Sequence, residues 1–229
     1  MQIYGLQKMT LLDYPEHVAA TVFLNGCDFK CPYCHNFELV DGTARPLMEE
    51  EEFFSFLGKR KGILDGIAIS GGEPCLHREL PDFIRRIRAM GFLVKLDTNG
   101  YHPEMLLSLI EEHLVDYVAM DIKNSFTKYG ITVGVPKLDT EPVRRSIDIL
   151  MNSDRDYEFR TTVVKEFHDE KDFEEIGEMI RGAKKYFLQQ YTCRDTVPDQ
   201  TLNPPSKEEL KQYLVVLSKN VPNARLRGV

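Results

Sequence analysis

Short β-branched or apolar runs alternate with helical patterns along this chain, and that alternation limits its fold more than any other feature. The runs fall at 18–24 (VAATVFL), 66–69 (GIAI), 92–96 (FLVKL), 115–120 (VDYVAM), 157–164 (YEFRTTVV) and 186–190 (YFLQQ). Their length and their content of Val, Ile, Phe and Tyr predict strands. Apolar residues at three- and four-residue spacing predict helices over about 48–60, 78–90, 103–113, 139–151, 171–183 and 206–219, one of them with a core face of Phe83, Ile84 and Ile87. Such repetition favours parallel βαβ units with right-handed crossovers, in an open or closed α/β barrel or a doubly wound sheet. Ligands in all of these sit at strand carboxyl ends, so chemically loaded residues should follow strands.

With 229 residues, 42% of them hydrophobic, the chain can bury one sizeable α/β core. No low-complexity stretch, fixed-period repeat or Gly/Ser linker marks a boundary. The reading is a single domain over 1–229, with a core over about 15–195 and a C-terminal helix and tail over about 204–229. A formal net charge of −7 with mixed signs gives no basic stripe, which excludes nucleic acid as the main partner. The opening residues show no secretory pattern, and no stretch approaches the roughly 20 apolar residues of a membrane span, so a cytoplasmic protein is expected.

The five cysteines are odd in number, and three of them crowd into residues 27–34, which favours a metal or cluster site over disulfides. They form a C-x3-C-x2-C array, Cys27, Cys31 and Cys34, on the loop after the first predicted strand. Thiolates are the preferred ligands of Fe–S clusters, and three of them leave one iron of a four-iron cube open to substrate. A structural zinc site completed by His35 or a distant cysteine is the competing reading.

Later strand ends are loaded as well. Ser70-Gly71-Gly72-Glu73-Pro74 follows the second strand, with glycines that permit close backbone approach to a ligand and a carboxylate that accepts hydrogen bonds. Asp97-Thr98-Asn99-Gly100 closes the third strand and Asp121-Ile122-Lys123 the fourth. Taken singly, Asp97 and Asn99 also suit a turn, and Asp121 with Lys123 an ordinary surface pair. Arg160 and Thr162 share a face of the fifth strand by the period-two rule, and an edge salt bridge is the plain alternative for Arg160. On the sixth strand the register does not choose between Gln189, Gln190 and Tyr191. Cys75, beside the glycine turn, reads as packing, and Cys193 as an inert thiol.

The cysteine array, with Tyr33 before its last member, resembles the signature of the radical S-adenosylmethionine superfamily, and Gly71-Gly72-Glu73-Pro74 resembles its second motif. The resemblance implies a partial (β/α)6 barrel, a [4Fe–4S] cluster on Cys27, Cys31 and Cys34, and S-adenosylmethionine contacted by Tyr33, Gly71, Gly72, Glu73, Asp97, Asn99, Asp121, Lys123, Arg160 and Thr162. Length agrees, because a complete eight-unit barrel takes about 250 residues. Cys-Pro-Tyr-Cys-His-Asn, D-T-N-G and D-x-K further resemble the enzymes that activate glycyl radical enzymes, although Phe37 stands where those usually carry proline. In that family Asp97, Thr98, Ala119 and Asp121 would frame a monovalent cation or Mg²⁺. Tyr4 to Lys8 and Leu11 to Pro15 resemble the opening of the activators of anaerobic ribonucleoside-triphosphate reductase, which implies that reductase as partner and flavodoxin or ferredoxin as electron donor. The alternatives are a small-molecule enzyme such as a 7-carboxy-7-deazaguanine synthase, and an iron–sulfur electron carrier without catalysis.

Overall fold

Residues 1–228 are described by the computed structural model. Its strands are β1 (Gln2–Ile3), β2 (Gly5–Thr10), β3 (Ala19–Leu24), β4 (Met48–Glu49), β5 (Gly66–Gly71), β6 (Leu93–Thr98), β7 (Tyr117–Asp121), β8 (Asp156–Val163), β9 (Tyr186–Gln190) and β10 (Ala224–Arg227). Its helices are α1 (Glu38–Asp41), α2 (Glu50–Gly58), α3 (Leu80–Ala89), α4 (Pro103–Glu111), α5 (Tyr129–Thr132), α6 (Glu141–Asn152), α7 (Glu170–Met179) and α8 (Lys207–Ser218). Each of the six predicted strands is present, and each predicted helix forms within a few residues of its expected span.

The main sheet has the order β10-β9-β8-β7-β6-β5-β3-β2. Every pair from β3 to β10 is parallel, and β2 alone runs antiparallel, against β3. The six expected strands therefore form the centre of a partial (β/α) barrel, and β2 and β10 extend it at the two edges. Both edge strands escaped the sequence reading because GLQKMT and ARLR are polar and lack the apolar signature of a buried strand. The start of the helix expected from residue 48 is instead β4, which pairs with β1.

The period-two rule then divides the side chains. One set, including Val22, Ile69, Leu96, Met120 and Phe159, is fully buried in the apolar core. The helices cover it with their own apolar stripes, as α3 does with Leu80, Phe83, Ile84 and Ile87. Three helices start on reciprocal capping boxes, Glu49 with Glu52, Asp169 with Asp172 and Ser206 with Glu209, which satisfy otherwise orphaned N–H groups. The other set, Lys95, Asp97, Asp121, Glu158, Arg160 and Thr162, is polar and falls at alternate positions of β6, β7 and β8 on the concave face. Among the described residues no helix is long and apolar enough to cross a membrane.

Candidate active site

The cysteine loop leaves β3 at Leu24 and has little regular structure of its own, so neighbouring segments must fix it. The turn after β5 does so at one side. Gly72 N–H donates to the Leu24 carbonyl at 2.9 Å and Glu73 N–H to the Gly26 carbonyl at 2.7 Å. A Cβ on Gly71 would stand 2.2 Å from the Leu24 oxygen, and one on Gly72 2.0 Å from the Gly26 oxygen. Backbone packed on backbone thus demands both glycines, which also line the cavity where close approach to a ligand is expected. At the other side Lys30 N–H donates to the Val133 carbonyl, and Thr196 and Asp199 hydrogen-bond to the carbonyls of His35 and Pro32.

Cys27, Cys31 and Cys34 so held line one cavity of about 210 Å³ at the strand carboxyl ends. Burial pushes the Cys27 thiol up to about 12 and the Cys31 thiol up to about 11, and raises that of Cys34. Thiols in such a place ionise only with compensating positive charge, which a metal supplies. Among the described residues no three His, Cys, Asp or Glu side chains are gathered to hold one metal ion. Three thiolates suit a polynuclear cluster, which takes one sulfur per iron and leaves one iron open, whereas a closed zinc site draws four ligands to a point. The Tyr33 hydroxyl is buried behind the wall without a hydrogen-bond partner.

Across the cavity, neighbouring strand ends assemble a charged group. Asp97 stands in register with Ala119, and Asp121 with Arg160. Arg160 reaches both carboxylates, Asp97 at 3.4 Å and Asp121 through its Nε. Lys123 pairs with Asp121 at 2.9 Å, and Lys95 with Asp97. Burial opposes ionisation of the two carboxyls, but Arg160, Lys123 and Lys95 outweigh it and hold both below the usual carboxylate range. At the cavity wall Arg160 and Lys123 thus balance Asp97 and Asp121, and Lys95, buried behind the wall, adds a further cation to Asp97.

The structure brings Tyr33, Gly71, Gly72, Asp97, Thr98, Asn99, Asp121, Lys123, Arg160 and Thr162 to the cavity wall with the cysteines. Glu73 and Ala119 are not part of that wall. Glu73 is fully buried and accepts from Thr98 Oγ1 at 2.8 Å, Asn99 N at 2.6 Å and Cys75 N at 2.9 Å. Its carboxylate therefore ties the β5 turn to the β6 turn. Ala119 lies inside the parallel ladder, and the carboxylates expected to frame a cation meet ammonium and guanidinium groups. Cys75 is buried in the core and Cys193 is exposed. The sixth core strand sends no residue to the wall: Gln190 donates to the Pro205 carbonyl, and the Tyr191 ring stacks on His35.

Several contributors were missed in the sequence. Lys95, 2% exposed, hides in the apolar run FLVKL, and its place two residues before Asp97 was the available signal. Phe29, His35, Asn36, Val40 and Ser70 also line the cavity, and their positions next to motif residues are the only hint of it.

Fold and cavity together define an α/β barrel protein with three cysteines and a set of ion pairs gathered at its strand carboxyl ends. Residues 21–180 match the Radical SAM superfamily, and the chain belongs to that superfamily. Its cofactors are accordingly a [4Fe–4S] cluster and S-adenosylmethionine, which the three thiols and the Arg160 and Lys123 side chains of this cavity fit. The chain is 34% identical to a protein of Methanocaldococcus jannaschii provisionally named a glycyl-radical enzyme activating enzyme, across 99% of this chain and 96% of that one. It is 30% identical to the pyruvate formate-lyase-activating enzyme of Clostridium pasteurianum over 54% of this chain and 52% of the other. It is also 30% identical to a 7-carboxy-7-deazaguanine synthase of Koribacter versatilis over 60% of this chain and 58% of the other. Among solved structures, Streptococcus suis SuiB bound to S-adenosylmethionine shares the fold at a TM-score of 0.65 and 12% identity, covering 91% of this chain and 52% of that one.

Proposed function

We propose that this chain activates a glycyl radical enzyme, with Cys27, Cys31 and Cys34 each ligating one iron of the cluster and the rest of the cavity holding S-adenosylmethionine. The observation that carries the reading is the convergence of three cysteines, Arg160 and Lys123 in one cavity at the strand carboxyl ends. Similarity over nearly the full length to the M. jannaschii protein supports the activity. The bound cofactors supply, on one-electron reduction, a 5′-deoxyadenosyl radical.

The chain's residues have separable tasks. Arg160 and Lys123 offer positive charge to the carboxylate of the methionine moiety, and Asp97 and Asp121 keep them aimed. Asp121 also presents a carboxylate to the amino group. Asn99 and Thr162 add polar contacts, and Tyr33 adds wall surface beside the cysteines. Phe29 and Val40 give the cavity an apolar side that excludes water, which a reaction through a primary carbon radical requires. A partner loop carrying the glycine would supply the remaining wall, and its Cα–H is the hydrogen removed.

The partner we favour is anaerobic ribonucleoside-triphosphate reductase, on the opening motif that here forms β2 and the turn after it, with flavodoxin or ferredoxin as electron donor. The test mixes the anaerobically reconstituted chain, S-adenosylmethionine, reductant and the reductase. A stable glycyl signal in electron paramagnetic resonance is expected. Its absence while a pterin substrate is consumed would favour the 7-carboxy-7-deazaguanine synthase reading, which the K. versatilis similarity keeps in play.

A further inference from the structure

We infer that Asn99 sets the reduction potential of the cluster by donating a hydrogen bond from its side-chain amide to the sulfur of Cys27. The inference rests on the ligand assignment proposed above.

Asn99 Nδ2 lies 3.6 Å from Cys27 Sγ. Among the described residues it is the one side chain that hydrogen-bonds to a sulfur of the three cysteines. Which end of the amide faces the sulfur is fixed by its other contact, because Asn99 Oδ1 accepts from Tyr101 N–H at 2.8 Å. The oxygen is thereby turned to the backbone and the NH₂ to the thiol. The backbone is pinned as well, since Asn99 N–H donates to Glu73 Oε2, inside the tie that joins the β5 and β6 turns. Asn99 is buried, and a hydrogen bond in so dry a place is stronger than one in water.

One-electron reduction adds negative charge to the cluster and its thiolates. A donor at a ligand sulfur stabilises the reduced form more than the oxidised form, and so raises the potential. The Asn99 amide would thus make reduction by an external low-potential donor easier before any bond in the substrate is broken. Its role is to tune and position, since the thiolate itself is the ligand.

The experiment is a redox titration with dithionite, monitored by electron paramagnetic resonance, on the reconstituted full chain without S-adenosylmethionine. Iron content is measured in parallel. Asn99→Ser keeps a short oxygen for Tyr101 N–H but has no amide donor. Asn99→Asp keeps the same turn and puts a carboxylate against the sulfur, and Asn99→Ala loses both contacts. Loss of the donor should change the reduced-to-oxidised ratio at fixed potential by about tenfold, a fall of about 59 mV for a one-electron couple. Asn99→Asp should fall furthest. A purely structural role for the turn predicts the reverse ranking, with Asn99→Asp and Asn99→Ser like the parent and only Asn99→Ala displaced, and that result overturns the inference. So do equal potentials in all four proteins, or loss of the cluster from all three variants, which would make Asn99 an assembly residue. A parent chain that binds no four-iron cluster sinks the ligand assignment along with the inference, whereas unchanged potentials with a full cluster sink the inference alone.

Discussion

The two ends of the barrel's concave face are both rich in charge, yet they are completed in different ways. At the amino end, Glu158 is 1% exposed, and Arg227 donates to both of its oxygens at 2.6 and 2.8 Å. Tyr117 adds a third bond at 2.8 Å, and the Arg227 guanidinium lies 3.6 Å from the centroid of the Phe187 ring. The chain itself meets every need of that carboxylate. At the carboxyl end the same kinds of residue line an open cavity, where Arg160 and Lys123 stand beside three thiols whose ionisation burial opposes. Unmet polar groups cost free energy, so a fold keeps them where an occupant will satisfy them. The amino end reads as cohesion and the carboxyl end as a site, in keeping with the general division of labour in parallel barrels.

Single substitutions can break this contrast, and the largest effect should come from the cysteines. Cys31→Ala should abolish stoichiometric iron binding after anaerobic reconstitution, while Cys75→Ala and Cys193→Ala retain about four irons per chain. Iron retained in Cys31→Ala but lost in Cys75→Ala would reverse the assignment. Next in size, Glu158→Ala should cost about 3 kcal/mol in chemical denaturation, because it strands Arg227 and the Tyr117 hydroxyl at the amino end. The folded variant should still bind S-adenosylmethionine with the parent's affinity, and a matching loss of affinity would erase the distinction between the two ends.

Smaller effects sharpen the comparison further. Gly72→Ala forces a Cβ onto the Gly26 carbonyl and should cost about 2 kcal/mol. Gly58→Ala, at the end of α2 with open space around it, should stabilise by about 0.5 kcal/mol. Equal melting shifts for the two would refute the backbone contact as the reason for the glycine. Asp121→Ala should weaken S-adenosylmethionine binding about tenfold in equilibrium dialysis, or about 1.4 kcal/mol, with iron content unchanged.

The smallest effect is on pH dependence. Burial disfavours the Glu158 carboxylate, but Arg227 and Tyr117 more than offset this and hold its pKa below the usual value. A folded-state pKa below the unfolded one means that Glu158 contributes stability above the usual glutamate range, near about pH 4.3, and loses it as pH falls through the lower folded value. Glu158→Gln should therefore be less stable at neutral pH and show a shallower loss on acidification. An acid limb parallel to that of the parent would contradict the assignment.

Much of this was legible in the sequence because buried parallel strands must be apolar runs, and because chemistry in such folds follows strands. VAATVFL and GIAI declared themselves, as did the cysteines, Asp97 and Asp121 directly after strand ends. What stayed hidden depends on contacts between distant segments. Glu73 reads as a residue offered to a ligand, but the groups that claim its carboxylate include Thr98 and Asn99 from the next strand end. The need for Gly71 and Gly72 arises from Leu24 at the end of β3 and Gly26 on the loop after it, and no local spacing encodes that approach. Lys95 is masked by its apolar neighbours, and the edge strands β2 and β10 by their own polarity.

The working end of the barrel is tested most directly by quantifying 5′-deoxyadenosine after anaerobic reconstitution, with S-adenosylmethionine and dithionite, in the parent chain, Asp121→Ala and Glu158→Gln at equal folded concentration. The account predicts reductant-dependent 5′-deoxyadenosine, equimolar with methionine, in the parent and in Glu158→Gln, and a marked loss in Asp121→Ala at subsaturating S-adenosylmethionine. Full iron with no 5′-deoxyadenosine in the parent, or a loss in Glu158→Gln equal to that in Asp121→Ala, would contradict it.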